Sequence, residues 1–388
     1  MGAHFLINNN IFKQELVVTK MNGSEKLQLS GNKLIWHQDE LKKWQKEENF
    51  PCIYIEFGPT SACNHKCIHC YVQEVVKKPT FLDTKIYLRF MREIGKYGVK
   101  AIVLGGCGEP LLHPASVQAI ETAVKNGVDV GILTNGVMIK EEDIPSLMEN
   151  LTYIRFSING GSAKSYSTIH RCPSSDYNKV KKIMKKCIEY RNKNKSKCTL
   201  GVYSLISDVN LLEIKDWVKE VKTMGFDYMI IKPPTPGLNG KVFVKQAELD
   251  KVKPYLKEIM GMQDKNFQVM VRTDLFEDKG CLKREYQQCL GLPFMCVVDS
   301  EGGVYSCNWF WGNEKFKYGD LNKQAFQEIW EGEKKKEIIK KVTSSKFNFD
   351  KCGECRQNNL NKWLWKLKTG EIKLEKPIGE PPMHINFI

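Results

Sequence analysis

The sequence predicts an α/β fold, a partial (βα)6 TIM barrel followed by a small α+β domain, and three observations predict it. From about residue 53, short β-branched runs alternate with helical patterns, the signature of βα units around a parallel sheet. The alternation stops at residues 233–241, PPTPGLNGK, where Pro and Gly crowd together as at a domain boundary. Beyond that boundary the pattern differs in kind: a helical segment at about 246–262, two short apolar runs about a Gly-Gly turn in CVVDSEGGVYSC, and a helix at about 323–341. These breaks give an N-terminal extension over 1–50, the barrel over 51–235, a linker and helix over 236–270, and a second domain with its tail over 271–388.

Six runs supply the barrel strands: IYIEFG (53–58), AIVLGG (101–106), VGILTN (130–135), YIRFSI (153–158), TLGVYSL (199–205) and YMIIK (228–232). Between them lie stretches such as LDTKIYLRFMREIGKYG, HPASVQAIETAVKNG and NLLEIKDWVKEVKTMG. Each carries apolar residues at helical spacing and closes on a Gly, which tolerates the left-handed turn that ends a helix. Side chains leaving the C-terminal ends of parallel barrel strands converge on one face, where such folds place their chemistry.

Composition narrows the class. A chain of 388 residues that is 42% hydrophobic can bury a sizeable core. It has no unbroken apolar run of about 18 residues and no signal-peptide start, so a cytoplasmic protein without a membrane segment is expected. Its opening residues, Met-Gly-Ala-His-Phe-Leu, lack the Ser or Thr of an acylation signal. The net charge of +14 comes partly from segments such as KVKKIMKKC and GEKKKEIIKK, whose lysines ordinarily cover a solvated face. The same field suits an anionic small-molecule substrate, phosphorylated or nucleotide-linked. Nucleic acid is disfavoured, because no compact basic and aromatic run or reader motif occurs.

The 14 cysteines are clustered, which argues for metal rather than disulfides. Cys63, Cys67 and Cys70 are spaced C-x3-C-x2-C directly after the first strand. Three thiolates can hold three irons of a cubane and leave the fourth open; zinc, with His65 or His69 as fourth ligand, is the other reading of the spacing. The triplet resembles that of the radical SAM superfamily. The resemblance implies a [4Fe-4S] radical SAM cluster, S-adenosylmethionine bound at its open iron, and a flavodoxin- or ferredoxin-like electron donor. It implies that His69 lies against the adenine, and that Gly106, Gly108 and Glu109 of Gly105-Gly-Cys-Gly-Glu-Pro110 hold the amino group of the cofactor. Thr134 and Asn135 of the Thr-Asn-Gly turn, and Ser157 and Asn159 at the place of the ribose contacts, complete the cofactor-binding set; Lys232, ending the sixth strand, suits an anionic group of cofactor or substrate.

A second group lies further along the chain: Cys289, twelve residues, Gly302, four residues, Cys307, and later Cys352-Gly-Glu-Cys355. It resembles the auxiliary-cluster domains called SPASM and Twitch. Cys296 competes with Cys289 for the first position, but only five residues separate it from Gly302. No cysteine follows Cys355, so the shorter Twitch type with one auxiliary [4Fe-4S] cluster is expected, with structural zinc on four thiolates as the alternative. Seven cysteines remain: Cys52, Cys107, Cys172, Cys187, Cys198, Cys281 and Cys296. Most read as small core residues; Cys107 and Cys172 are the candidate hydrogen donors to a substrate radical.

The resemblance implies an enzyme that cleaves S-adenosylmethionine reductively to a 5′-deoxyadenosyl radical and abstracts a hydrogen from a carbon. The expected substrate is a sugar, aminocyclitol or nucleotide-linked sugar, undergoing dehydrogenation, dehydration or epimerisation. A peptide-modifying (RiPP) maturase is the alternative. A non-catalytic iron-sulfur or zinc protein is the reading from another class, and the glycine loop with Glu109 argues against it.

Overall fold

The computed structural model describes residues 32–72, 76, 78–237, 243–245, 250–272, 284–349, 352 and 355–388. The six β-prone runs form β1 (Tyr54–Phe57), β2 (Ala101–Leu104), β3 (Asp129–Thr134), β4 (Leu151–Ser157), β5 (Thr199–Leu205) and β6 (Tyr228–Lys232), paired parallel in chain order. The sheet runs past the expected six strands at both ends. β7 (Gln268–Val271) pairs parallel with β6. β8 (Met295–Val298) pairs parallel with the other edge of β1, Tyr54 opposite Met295, and turns through a hairpin into β9 (Gly303–Tyr305). β10 (Lys317–Asp320) closes the series antiparallel to β9, giving ten strands in one sheet among the described residues.

Among the described residues the α-helices are α1 (Gln38–Gln45), α2 (Thr84–Tyr97), α3 (Ser116–Lys125), α4 (Ile144–Asn150), α5 (Ala163–His170), α6 (Ser175–Asn194), α7 (Ile214–Met224), α8 (Lys253–Met260), α9 (Phe326–Glu331), α10 (Glu333–Val342) and α11 (Asn358–Lys368). α2 shows why these segments are helical. The Asp83 carboxylate accepts from the backbone N–H groups of Lys85 and Ile86, satisfying two donors that a helix start leaves open. Tyr87, Phe90, Met91 and Ile94 then bury one face, and Gly98, at φ 105°, ends the helix. The helix expected at 323–341 is two helices, because Gly332 at ψ 156° breaks it between α9 and α10. Of the one expected at 246–262, α8 lies within the described part; residues 246–249 lie outside the described residues, as do Cys281 and residues 1–31 of the N-terminal extension.

Strand alternation sorts the side chains into two layers. Ile55, Phe57, Ile102, Leu104, Ile132, Ile154, Phe156, Met229 and Ile231 pack under the helices in the main core. Tyr54, Val103, Leu133, Arg155, Tyr203, Ile230 and Met270, from seven different strands, line a single cavity instead. A sheet whose one face encloses a cavity shared by β1 to β7 is an open barrel. The chain's last residues pack among this inner layer: Lys33 donates to the His384 carbonyl at 3.2 Å, and Phe387 packs edge-on against Tyr54 and Tyr153.

Candidate functional site

The cavity has a volume of about 740 Å³, within the range of sites that hold a cofactor-sized ligand. Cys63, Cys67 and Cys70 line it, together with His69, Gly106, Gly108, Glu109, Thr134, Asn135, Ser157, Asn159 and Lys232. The structure thus brings the whole expected cofactor-binding set to one cavity at the C-terminal ends of the barrel strands. Cys307 and Cys355 of the second cysteine group line it too.

The cysteine loop is held by the end of α5. Lys66 and Ile68, on either side of Cys67, donate their backbone N–H groups to the carbonyls of His170 and Ile169 at 3.0 and 2.9 Å. These are carbonyls that a helix C-terminus leaves unpaired, so the loop satisfies them while being positioned by them. His65, within the loop, pairs with buried Asp176 at 3.3 Å, and its Nδ1 has no partner. His69 is buried with its Nδ1 also unpartnered, and burial pushes its pKa down to about 4, so it faces the cavity as a neutral ring.

The glycine loop is joined to the cysteine loop by backbone. Gly108 sits at φ +64°, and a Cβ there would lie 2.4 Å from the Thr60 carbonyl oxygen; only glycine permits the approach. Glu109 then donates its N–H to the Ala62 carbonyl at 2.8 Å. Its carboxylate is buried and engaged within the chain: Oε1 accepts from Thr134 Oγ1 at 2.7 Å and from the Leu111 N–H, and Oε2 accepts from the Asn135 N–H at 2.7 Å. Burial pushes its pKa up to about 7, against these hydrogen bonds. Glu109 therefore ties the ends of β2 and β3 together as well as facing the cavity. Thr134→Val keeps the shape but removes one donor from Glu109 and the acceptor of the Gly136 N–H. It is expected to destabilise the protein by about 1–3 kcal/mol, the cost of buried groups left unpaired, measurable by urea unfolding.

Ser157 and Asn159 continue β4. The Asn159 side chain accepts from the Leu205 N–H at 2.8 Å, which fixes β4 against β5, and its backbone N–H donates to His170 Nε2 at 3.1 Å. Lys232 donates to Thr235 Oγ1 at 2.7 Å and lies 5.8 Å above the Tyr203 ring.

The second group gathers beside the barrel. Cys307, Cys352 and Cys355 all lie within electrostatic reach of Cys289, and Asn361 of α11 donates from Nδ2 to the sulfurs of Cys289 and Cys355, each at 4.0 Å. Its Oδ1 accepts the N–H groups of Leu290 and Gly291. Cys296 is elsewhere, fully buried on β8 opposite Ile55 with Cys52 as its sulfur neighbour.

Both cysteine groups fit a cationic partner. Burial pushes the Cys63 thiol up to about 11 and the Cys307 thiol up to about 12, and it raises those of Cys67 and Cys289 as well. Thiols so disfavoured as anions become thiolates beside metal ions, and each group supplies the number of sulfurs, three and four, that an open and a closed iron-sulfur cluster use.

Two expected hydrogen donors stand elsewhere. Cys107 is buried with its thiol 3.6 Å from the Thr60 carbonyl, and Cys172 sits beside Asp176 and His65; neither lines the cavity. The cause is local. Cys107 lies between two glycines whose positive φ angles turn it under the loop, and Cys172 follows the left-handed Arg171 that ends α5.

Several residues of the site escape the sequence motifs. Arg155 points inward from β4 between Tyr153 and Tyr228 and bonds the Tyr228 hydroxyl at 3.2 Å. A charge inside the apolar run YIRFSI was the signal that could have found it. Arg356, next to Cys355, pairs with Glu56 at 3.3 Å and lies 5.2 Å over the Tyr71 ring, whose hydroxyl donates to the Gly106 carbonyl at 2.7 Å. This chain of contacts links the two cysteine groups, and no motif spacing announces it.

Comparison with known proteins agrees with this geometry. The family model described as the radical SAM superfamily matches residues 58–221, and one described as an iron-sulfur cluster-binding domain, SPASM, matches residues 289–357. The chain is 23% identical over 302 residues to the tungsten-containing aldehyde ferredoxin oxidoreductase cofactor-modifying protein of Pyrococcus furiosus, covering 73% of this chain and 81% of that one. It is 24% identical to the AdoMet-dependent heme synthase of Methanosarcina barkeri (78% and 87% covered) and 22% identical to the mycofactocin maturase MftC of Mycolicibacterium smegmatis (72% and 70%). The fold resembles that of Streptococcus suis SuiB bound to its precursor peptide SuiA, with a TM-score of 0.61 at 15% identity over 83% of this chain and 74% of that one. The barrel, the cysteine triplet at its mouth and the two family matches lead to one conclusion: the chain is a radical SAM enzyme with an iron-sulfur cluster-binding SPASM domain at its C-terminal end.

Proposed function

We propose that this enzyme is a maturase that abstracts hydrogen from a residue of a peptide substrate. The observation that carries the reading is the one cavity bounded by both cysteine groups, on a chain whose relatives include a mycofactocin maturase and whose fold matches an enzyme solved with its precursor peptide. A sugar-like substrate, which the sequence favours, has less support from the relatives. A small anionic molecule remains the second reading, favoured by the cavity's Lys66, Lys78, Arg155, Lys232, Arg272 and Arg356 against Glu56 and Glu109.

Cys63, Cys67 and Cys70 supply the three thiolates of the radical SAM cluster, and Cys289, Cys307, Cys352 and Cys355 the four of the auxiliary one. When bound, the first cluster and S-adenosylmethionine supply an organic radical able to remove hydrogen from an unactivated carbon. The chain's own residues place and protect that chemistry. Gly106 and Gly108 bring backbone close to the cavity, Glu109 and Thr134 fix the loop ends, Asn135, Ser157 and Asn159 offer polar groups, and His69 offers a neutral ring. The auxiliary site, with a thiolate for each of four irons, serves electron transfer or the shape of the pocket.

The test is anaerobic reconstitution with S-adenosylmethionine, a reductant, and deuterated peptides encoded beside the gene, alongside nucleotide-sugars and a tetrapyrrole. Deuterium passing from a peptide into 5′-deoxyadenosine, with a matching change in peptide mass, is the expected result. Transfer only from one of the small molecules would refute the peptide reading.

A further inference from the structure

We propose that His170 donates a hydrogen bond from its Nδ1–H to the sulfur of Cys67 and, through that sulfur, raises the reduction potential of the cluster held by the cysteine triplet. The proposal rests on the reading that Cys63, Cys67 and Cys70 hold the radical SAM cluster.

The direction of the bond is set by its neighbours. An imidazole nitrogen that receives an N–H bond carries no proton, and the Asn159 backbone N–H, which can only donate, points at His170 Nε2 at 3.1 Å. The ring proton therefore sits on Nδ1, and Nδ1 lies 3.3 Å from Cys67 Sγ. The ring has no freedom to choose otherwise. It is 1% exposed, stacked on Tyr166 with centroids 4.2 Å apart, and met edge-on by His65 at 5.3 Å. Its own backbone carbonyl accepts the N–H of Lys66, so the same residue fixes the loop and addresses the sulfur beside it.

A hydrogen bond to a cluster sulfur withdraws electron density from it and favours the reduced cluster, one of the levers by which proteins set these potentials. The cluster must be reduced before it can act on S-adenosylmethionine. His170 is then a positioning residue for electron entry; Cys63 also meets a local donor, the His65 backbone N–H, 3.4 Å from its sulfur.

The test compares the reconstituted wild type with His170→Phe, which keeps a ring but has no donor, and His170→Asn, whose amide nitrogen stands near the place of Nδ1. The cluster is followed by its EPR signal, identified by its change on adding S-adenosylmethionine, during a potentiometric titration. In His170→Phe the ratio of reduced to oxidised cluster at a fixed potential is expected to fall about tenfold, a midpoint shift of about 59 mV to the negative. His170→Asn is expected to stay near the wild type. An unshifted midpoint in His170→Phe, or equal shifts in both variants, would overturn the proposal, the second outcome because packing alone would then account for the change. Wild-type protein with histidine 15N-labelled in the ring only provides a measure independent of folding in the variants. A nitrogen hyperfine coupling to the reduced cluster is expected in pulsed EPR, and its absence overturns the hydrogen bond. Failure of the wild type to form any S-adenosylmethionine-sensitive cluster would instead defeat the ligand assignment itself.

Discussion

Replacing Cys63, Cys67 and Cys70 together with alanine is expected to reduce 5′-deoxyadenosine formation to background while leaving the protein folded. On the proposed reading the three sulfurs are the cavity's contribution to an open cluster, and among the described residues no other thiol lining the cavity can replace them, since Cys307 and Cys355 belong to the second group. Folding should survive because the loop is held by backbone bonds from Lys66 and Ile68 to α5 and from Glu109 to Ala62, none of which uses a thiol. Bound iron should fall from about eight to about four atoms per chain, the content of one cubane. An iron assay with chromatographic detection of 5′-deoxyadenosine checks both numbers. Persistent cleavage in the triple variant would place the radical chemistry elsewhere.

Replacing Cys289 with alanine is expected to separate cofactor cleavage from product formation. The change leaves three sulfurs at the auxiliary site and withdraws one of the two that Asn361 Nδ2 approaches. Turnover of the true substrate should fall by about 100-fold or more, the upper range for disturbing a metal site. Uncoupled formation of 5′-deoxyadenosine should continue, because the cysteine triplet and its glycine loop follow β1 and β2 and do not draw on Cys289. The auxiliary EPR signal should disappear and the S-adenosylmethionine-sensitive signal remain. Loss of both signals would show that the two sites form as one unit, through Arg356 and Tyr71.

The strands and the first site were legible in the sequence for physical reasons that the structure makes plain. Strands covered by helices on one face and an inner layer on the other read as near-continuous apolar runs, so AIVL and YMII identify themselves. The triplet and the glycine loop are local, with ligands and turns a few residues apart, and local spacing survives in one dimension. The auxiliary site was legible in part through its hairpin glycine, Gly302, which takes φ +85°. The elements that stayed hidden depend on distant pairing. QVMV is too short to separate from a loop until β6 lies beside it, and KYGD carries a glycine and two charges that disguise β10. The alignment of His170 with Cys67, and of Arg356 with Tyr71, is made by folding across the whole chain, and residue type alone does not reveal it. For Cys107 and Cys172, nearness in sequence to the motifs was a poor guide, because a glycine turn and a left-handed cap direct each thiol away from the cavity.

The pairing of β8 with β1 also constrains the order in which the molecule can be made. β1 is synthesised before β2 to β7, but its second neighbour only after all of them have followed. Until then an apolar strand, with Ile55 and Phe57 on one face, presents an open row of backbone groups to any other strand it meets. Contacts so distant in sequence form slowly, since the connecting chain must be ordered first. A chain shortened before β8 would keep that edge permanently, and aggregation rather than a smaller working enzyme is the outcome such a truncation favours.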